Sequence, residues 1–160
     1  KKVIFMEQLS HVDNLAVQMQ RLVAGSDSVV VLARESGTNP GTIRRIEQGC
    51  VCRLNTIEKL ARCGGRRIGE MFLTPGVDTD WYKETALQYL PDNLEAFTNE
   101  AELTFSEITA RLGVPYQTYR LYLEGSQYPQ TNTLQKIADE LEIEVADLFL
   151  PPMGGDMDDK

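Results

Sequence analysis

The sequence has one histidine, three cysteines and no apolar run longer than Val29 to Ala33. That run is far short of the roughly 20 residues a helix needs to cross a bilayer, so no membrane contact is expected. A lone histidine, with no G-x-S-x-G, no H-E-x-x-H and no Gly-rich phosphate cradle, leaves little to do chemistry with. No enzyme is expected, and the scattered carboxylates read as solvated helix faces. Lys1-Lys2-Val-Ile-Phe-Met begins like an export signal, but Glu7 and Gln8 cut the apolar stretch off. Without such a signal, an odd number of cysteines predicts reduced thiols in a cytoplasm. Cys50, Cys52, Cys63 and His11 together would make four zinc ligands. C-x-C is not the usual zinc spacing, however, so no metal or other cofactor is expected. Cys63 reads as a small core residue, and Cys50 and Cys52 as loop residues.

Acidic residues outnumber basic ones, giving a net charge of −8, which at first sight argues against nucleic acid. The imbalance is not uniform. Residues 1–77 carry eleven Lys and Arg against seven Asp and Glu, a net +4, and the remainder carries five against seventeen, a net −12. The two halves cannot share one electrostatic partner.

What is there is a pattern that occurs twice. Gly37 to Gly49 reads G-T-N-P-G-T-I-R-R-I-E-Q-G, preceded by S-V-V-V-L-A-R-E-S. Two short helices joined by a tight turn at Gly37 would turn Ile43 and Ile46 inward with Leu32 and Ala33. Pro40, Gly41, Thr42, Arg44 and Arg45 would then share an exposed surface, as when a helix-turn-helix presents its second helix to the DNA major groove. Around this motif, Asp13 reads as the cap of a first helix carrying Leu15, Met19, Leu22 and Val23. Ser28 caps the next, and Asn39 caps the third, with Pro40 at its first position. Asn55 caps a fourth helix with Ile57, Leu60 and Ala61 inward, and Arg66 to Leu73 forms a short fifth.

The second half repeats the order. Ile108 stands for Leu32, Gly113 for Gly37, Arg120 for Arg44, Gly125 for Gly49, Asn132 for Asn55 and Ile137-Ala138 for Leu60-Ala61. A repeat over most of both halves is hard to obtain by chance. It predicts an all-α chain with domains at 12–76 and 92–152, and a disordered acidic tail at 153–160. The linker, 77–91, reads as a helix from Asp78 to Leu90 that uses Trp81, Tyr82, Ala86, Leu87 and Leu90 and stops at Pro91. A helix there would hold the domains in a fixed relation.

Both halves resemble the lambda-repressor/Cro-like (XRE) helix-turn-helix family, a compact five-helix domain. In the first half the likeness rests on Leu32-Ala33, Gly37, the T-N-P-G-T-I-R-R-I-E-Q-G run and the closing Leu60-Ala61…Ile68…Met71-Phe72-Leu73. In the second it rests on Ile108 to Pro115, Thr118, Gly125, Leu134…Ile137-Ala138…Leu141…Val145 and Leu148-Phe149. The resemblance implies two tandem five-helix domains that bind double-stranded DNA through the third helix of each, as a transcriptional regulator, a repressor of phage or plasmid type. Carried over by position, Pro40, Gly41, Arg44 and Arg45 would lie at base edges or nearby phosphates, and Ser28, Thr38, Asn39 and Thr42 would hold the backbone. Tyr116, Gln117, Thr118 and Arg120, with Leu121, form the matching surface of the second domain. The chain departs from the family pattern at Val29, where a Gln is usual, and at Tyr119, Tyr122 and Leu123, which replace Ile43, Ile46 and Glu47.

The second surface has one cation among Glu100, Glu102, Glu107 and Glu124, and each acid costs affinity near a polyanion. Tyr116, Tyr119, Tyr122 and Tyr128 would equally suit a face for a protein partner or a second copy of the chain. The alternative function is therefore an interaction module in which only the first domain, or neither, touches DNA.

Overall fold

The computed structural model describes residues 11–152, and among them the chain is all helical, with eight α-helices. The leader-like residues 1–10 and the acidic tail 153–160 lie outside the described residues. The helices are α1 (His11–Ala24), α2 (Val29–Ser36), α3 (Pro40–Glu47), α4 (Leu54–Cys63), α5 (Leu90–Glu100), α6 (Phe105–Leu112), α7 (Tyr116–Glu124) and α8 (Thr131–Leu141). A 3-10 turn follows each set of four, at Ile68–Phe72 and Val145–Phe149. The same order of elements thus occurs twice.

Each set of four closes around residues at helical spacing. In the first, Leu15, Met19, Leu32, Ile43, Ile46, Ile57 and Leu60 are buried, and in the second Leu90, Leu94, Ile108, Tyr119, Leu134 and Ile137. These residues form one continuous hydrophobic cluster across both halves. The closing segments are 3-10 turns of five residues, tighter than the short fifth helix expected at Arg66 to Leu73.

The halves meet through equivalent positions. Phe72 and Phe149, the central residues of Met-Phe-Leu and Leu-Phe-Leu, stack with ring centroids 5.7 Å apart and planes 16° off parallel. Arg53 and Gln130, each two residues before Asn55 and Asn132, pair in an antiparallel bridge. Beside that bridge Thr131 N–H donates to Cys52 O (3.1 Å), and Cys52 N–H donates to Thr131 Oγ1 (3.2 Å). Contacts that join a position to its own counterpart are what a two-fold axis generates. Here the axis is approximate and lies inside one chain.

Three local expectations are corrected. The segment 77–91 is not a helix. It has two 3-10 turns, Asp80–Tyr82 and Leu87–Tyr89, with Trp81 73% exposed. Pro91 sits in the first turn of α5 instead of ending a linker helix, because its missing N–H costs nothing there. The fixed relation comes from hydrogen bonds. Gly69 N–H donates to Thr85 Oγ1 (2.9 Å), Ala86 N–H to Phe149 O (3.0 Å) and Leu87 N–H to Glu58 Oε2 (2.9 Å), so the linker is tied to both halves. A Cβ on Gly69 would stand 2.7 Å from Thr85, so only glycine permits that approach. Second, α1 already runs from His11, so Asp13 is inside it and is not its cap. Third, α4 and α8 start at Leu54 and Thr131, one residue before the expected caps Asn55 and Asn132. The Arg53–Gln130 bridge holds the preceding residues extended, and each helix starts as soon as that pairing ends.

Candidate nucleic-acid interface

The turn between α2 and α3 is built from local hydrogen bonds. Gly37 is left-handed (φ 75°), which glycine adopts without the steric cost of a Cβ. Thr38 N–H then donates to Ala33 O (2.9 Å). Asn39 is the cap of α3: its Oδ1 accepts from Thr42 N–H (2.8 Å) and from the Thr42 hydroxyl (3.2 Å), with Pro40 at the first position. Ser28 caps α2 by accepting from Val31 N–H (3.1 Å). Ile43 and Ile46 are fully buried, which fixes the rotation of α3 about its axis. At 3.6 residues per turn, Gly41, Arg44 and Arg45 must then face out, and all three are exposed. Among the described residues neither arginine forms an ion pair. The outer face of α3 thus offers two unpaired guanidinium groups in its last turn, a combination suited to an anion.

The remaining residues of this site are less open. Thr38 is half-buried, its Oγ1 2.8 Å from Ser36 Oγ, so its hydroxyl already has a partner in the turn. Thr42 and Pro40 are half-buried at the edge of the surface. The Arg66 guanidinium donates to Gln18 Oε1 (3.0 Å) and so belongs to the packing below, and the backbone N–H of Arg67 donates to Glu70 Oε1 (3.2 Å).

In the second half the backbone repeats and the chemistry changes. Thr104 caps α6 with Glu107 in a reciprocal capping box, and Gly113 is left-handed (φ 71°). The backbone hydrogen bond that Glu107 accepts from Thr104 holds its carboxyl below the usual range. On α7, Tyr116, Gln117, Arg120 and Leu121 are exposed and Thr118 is half-buried. The one cation is not free: Arg120 Nε lies 3.2 Å from Glu124 Oε2. The four-tyrosine face is not formed. Tyr119 and Tyr122 are buried where the first half has Ile43 and Ile46, and Tyr119 Oη shares a buried hydrogen bond with Thr98 Oγ1 (3.1 Å). Their rings pack edge-on, centroids 6.1 Å apart. Burial raises the pKa of both phenols. Glu100 lines a cleft beside Trp81.

Two clefts flank the Arg53–Gln130 bridge. One, of about 340 Å³, is lined by Thr42, Arg45, Arg53 and Gln130, and the other, of about 570 Å³, by Arg53, Tyr122, Gln127, Tyr128 and Gln130. Gln130 of the second half thus borders α3, and Arg53 of the first half borders the turn after α7. Arg53 is exposed and was not among the residues the sequence singled out. Its only sequence signal is a place equivalent to Gln130. Cys52, in the same seam, is buried enough that its thiol pKa is pushed up to about 12.

No protein-family model, characterised protein or solved structure matches the chain.

No group of three or more His, Cys, Asp or Glu able to hold a metal occurs among the described residues, and no described helix is long and apolar enough to cross a membrane. Cys50 is exposed, and Cys63 lies half-buried with Sγ 3.8 Å from Glu35 Oε1. Away from α3 and α7 lies the third notable surface, a cleft of about 480 Å³. Trp81, Phe97, Leu150 and Pro151 form its apolar floor, with Glu84, Asp92, Glu100 and Asp147 around it.

Proposed function

We propose that the protein is a sequence-specific DNA-binding transcriptional regulator acting in the cytoplasm. In this reading its two halves are tandem lambda-repressor-like helix-turn-helix domains, and it works as a repressor that reads the major groove with α3, assisted by α7. The observation that carries the reading is the pair of exposed arginines in the last turn of α3, which form no ion pair among the described residues. Guanine O6 and N7 suit a guanidinium, and one bidentate pair contributes roughly 1–3 kcal/mol of base discrimination. The net charge of −8 does not oppose this. Exposed charges farther away than about 10 Å are screened at 0.1 M salt, so the local excess on α3 decides the approach.

The test is binding of the full chain to random-sequence duplex DNA as salt is raised. Each neutralised phosphate adds about 0.9 to the slope of log K against log salt. Replacing both Arg44 and Arg45 by Ala flattens that slope by about one to two units in this reading. An unchanged slope and affinity would contradict it.

A second reading is favoured by the Trp81 cleft. Its exposed indole and acidic rim suit a basic, apolar segment of a protein partner, which would make the second half a docking module beside a DNA-binding first half.

A further inference from the structure

The two halves meet through equivalent positions, and the exposed surfaces of α3 and α7 are not alike. Arg53 pairs with Gln130 and Phe72 stacks on Phe149, each residue meeting its own counterpart. In an ordinary dimer such contacts form between two chains and make both halves identical, so the site read must be a palindrome. Here one chain supplies both halves, and exposed residues at equivalent places differ: Gly41 against Gln117, Arg45 against Leu121, and a free Arg44 against an Arg120 held by Glu124.

We infer that one copy of the chain reads an asymmetric duplex site made of two unlike half-sites, with Arg53 at their junction. This rests on the DNA-binding reading above and adds the kind of site and the stoichiometry. The half-site under α3 presents guanines, because Arg44 and Arg45 offer only donors, which guanine O6 and N7 accept. The half-site under α7 is A·T-rich. Gln117 can donate to and accept from adenine N7 and N6, and Leu121 packs on a thymine methyl. Arg53 is exposed in the seam and its counterpart is neutral, so the bridged pair itself carries a single cation. That cation holds phosphate between the half-sites and carries no sequence information.

The experiment is selection of bound duplexes from a random pool by the full chain, followed by native mass spectrometry on the selected duplex. The inference expects one chain per duplex and a site with a G-containing half and an A·T-rich half. Arg53→Ala lowers the salt slope by about one for every selected sequence, with the selected bases unchanged. Exchanging the two side chains, Arg45→Leu together with Leu121→Arg, moves one guanine preference from the α3 half-site to the α7 half-site, while that of Arg44 stays. Two chains on a palindrome, or one chain selecting a single short half-site, would overturn this inference and leave the DNA-binding reading standing. No selection and no salt-dependent binding would overturn both. Circular dichroism on each variant separates loss of contact from loss of fold.

Discussion

The α2–α3 and α6–α7 pairs share a backbone and almost none of their exposed chemistry. Ser28 and Thr104 cap equivalent helices, Gly37 and Gly113 take the same left-handed turn, and Leu32 and Ile108 fill the same place in the core. Outward, α3 offers two unpaired guanidiniums, whereas α7 offers a tyrosine, a glutamine, a leucine and an arginine already paired with Glu124. The backbone path is set by a few caps, two left-handed glycines and a handful of buried side chains. Exposed positions do not take part in that, so they can diverge while the helix stays in place.

The largest effect should come from the place where the halves are least independent. Phe72→Ala or Phe149→Ala removes half of a buried stack shared by both, and each should cost roughly 3–5 kcal/mol in chemical denaturation. Both variants should unfold in one transition by far-ultraviolet circular dichroism. Two separated transitions would mean that the halves are stable alone.

The next separates the two surfaces. Arg44→Ala should lower DNA affinity by roughly 1–3 kcal/mol if that side chain reads a base, and Arg120→Ala by distinctly less, since its charge is already neutralised. Equal losses, measured by fluorescence anisotropy, would erase the distinction.

Asn14 and Asn93 offer a comparison of similar size on stability. Asn93 Nδ2 donates to Leu148 O (2.8 Å) and Leu150 O (2.7 Å), whereas Asn14 Nδ2 donates to the Thr74 hydroxyl at the longer 3.3 Å. Asn93→Ala leaves buried carbonyls unsatisfied and should cost about 1–3 kcal/mol, with Asn14→Ala nearer 1. Smaller again, Glu124→Gln should raise DNA affinity a few-fold. It releases Arg120 and removes an acid from the surface, while the lost exposed pair is worth only about 0.3–0.5 kcal/mol to the fold.

The last concerns Cys52 and acts only in alkaline solution: its thiol is pushed up from 9.0 to about 12, first by burial. Above pH 9 the unfolded chain releases this proton while the folded chain keeps it. The resulting stability is intact below pH 9 and is lost as the pH rises towards 12. Cys52→Ala should make the alkaline fall in stability shallower, and an unaltered fall would exclude the thiol as a contributor.

Much of the fold was legible because its signals are local. A side-chain cap, a glycine after a helix and an apolar pair three apart all act within one or two turns, and Ser28, Gly37, Asn39, Ile43 and Ile46 occupy the places their chemistry dictates. The linker misled because Ala86, Leu87 and Leu90 are buried by passing between two surfaces, which mimics the spacing of a helix. Pro91 reads equally well as a stop or a start, and the tertiary hydrogen bonds of Thr85, Ala86 and Leu87 decide between them. Of the candidate site, the exposure of Arg44 and Arg45 follows from their offset to the buried isoleucines. That Tyr119 and Tyr122 turn inward, that Arg120 is paired and that Arg53 meets Gln130 depend on contacts that no short window of sequence contains.

The most direct test of a DNA-facing α3 is a map of backbone amide chemical-shift changes in the full chain as duplex DNA is added. The account predicts the largest changes over Thr38 to Arg45 and at Arg53, smaller ones over Tyr116 to Leu121, and none around Trp81 and Phe97. Changes centred on the Trp81 cleft, with α3 silent, would contradict it.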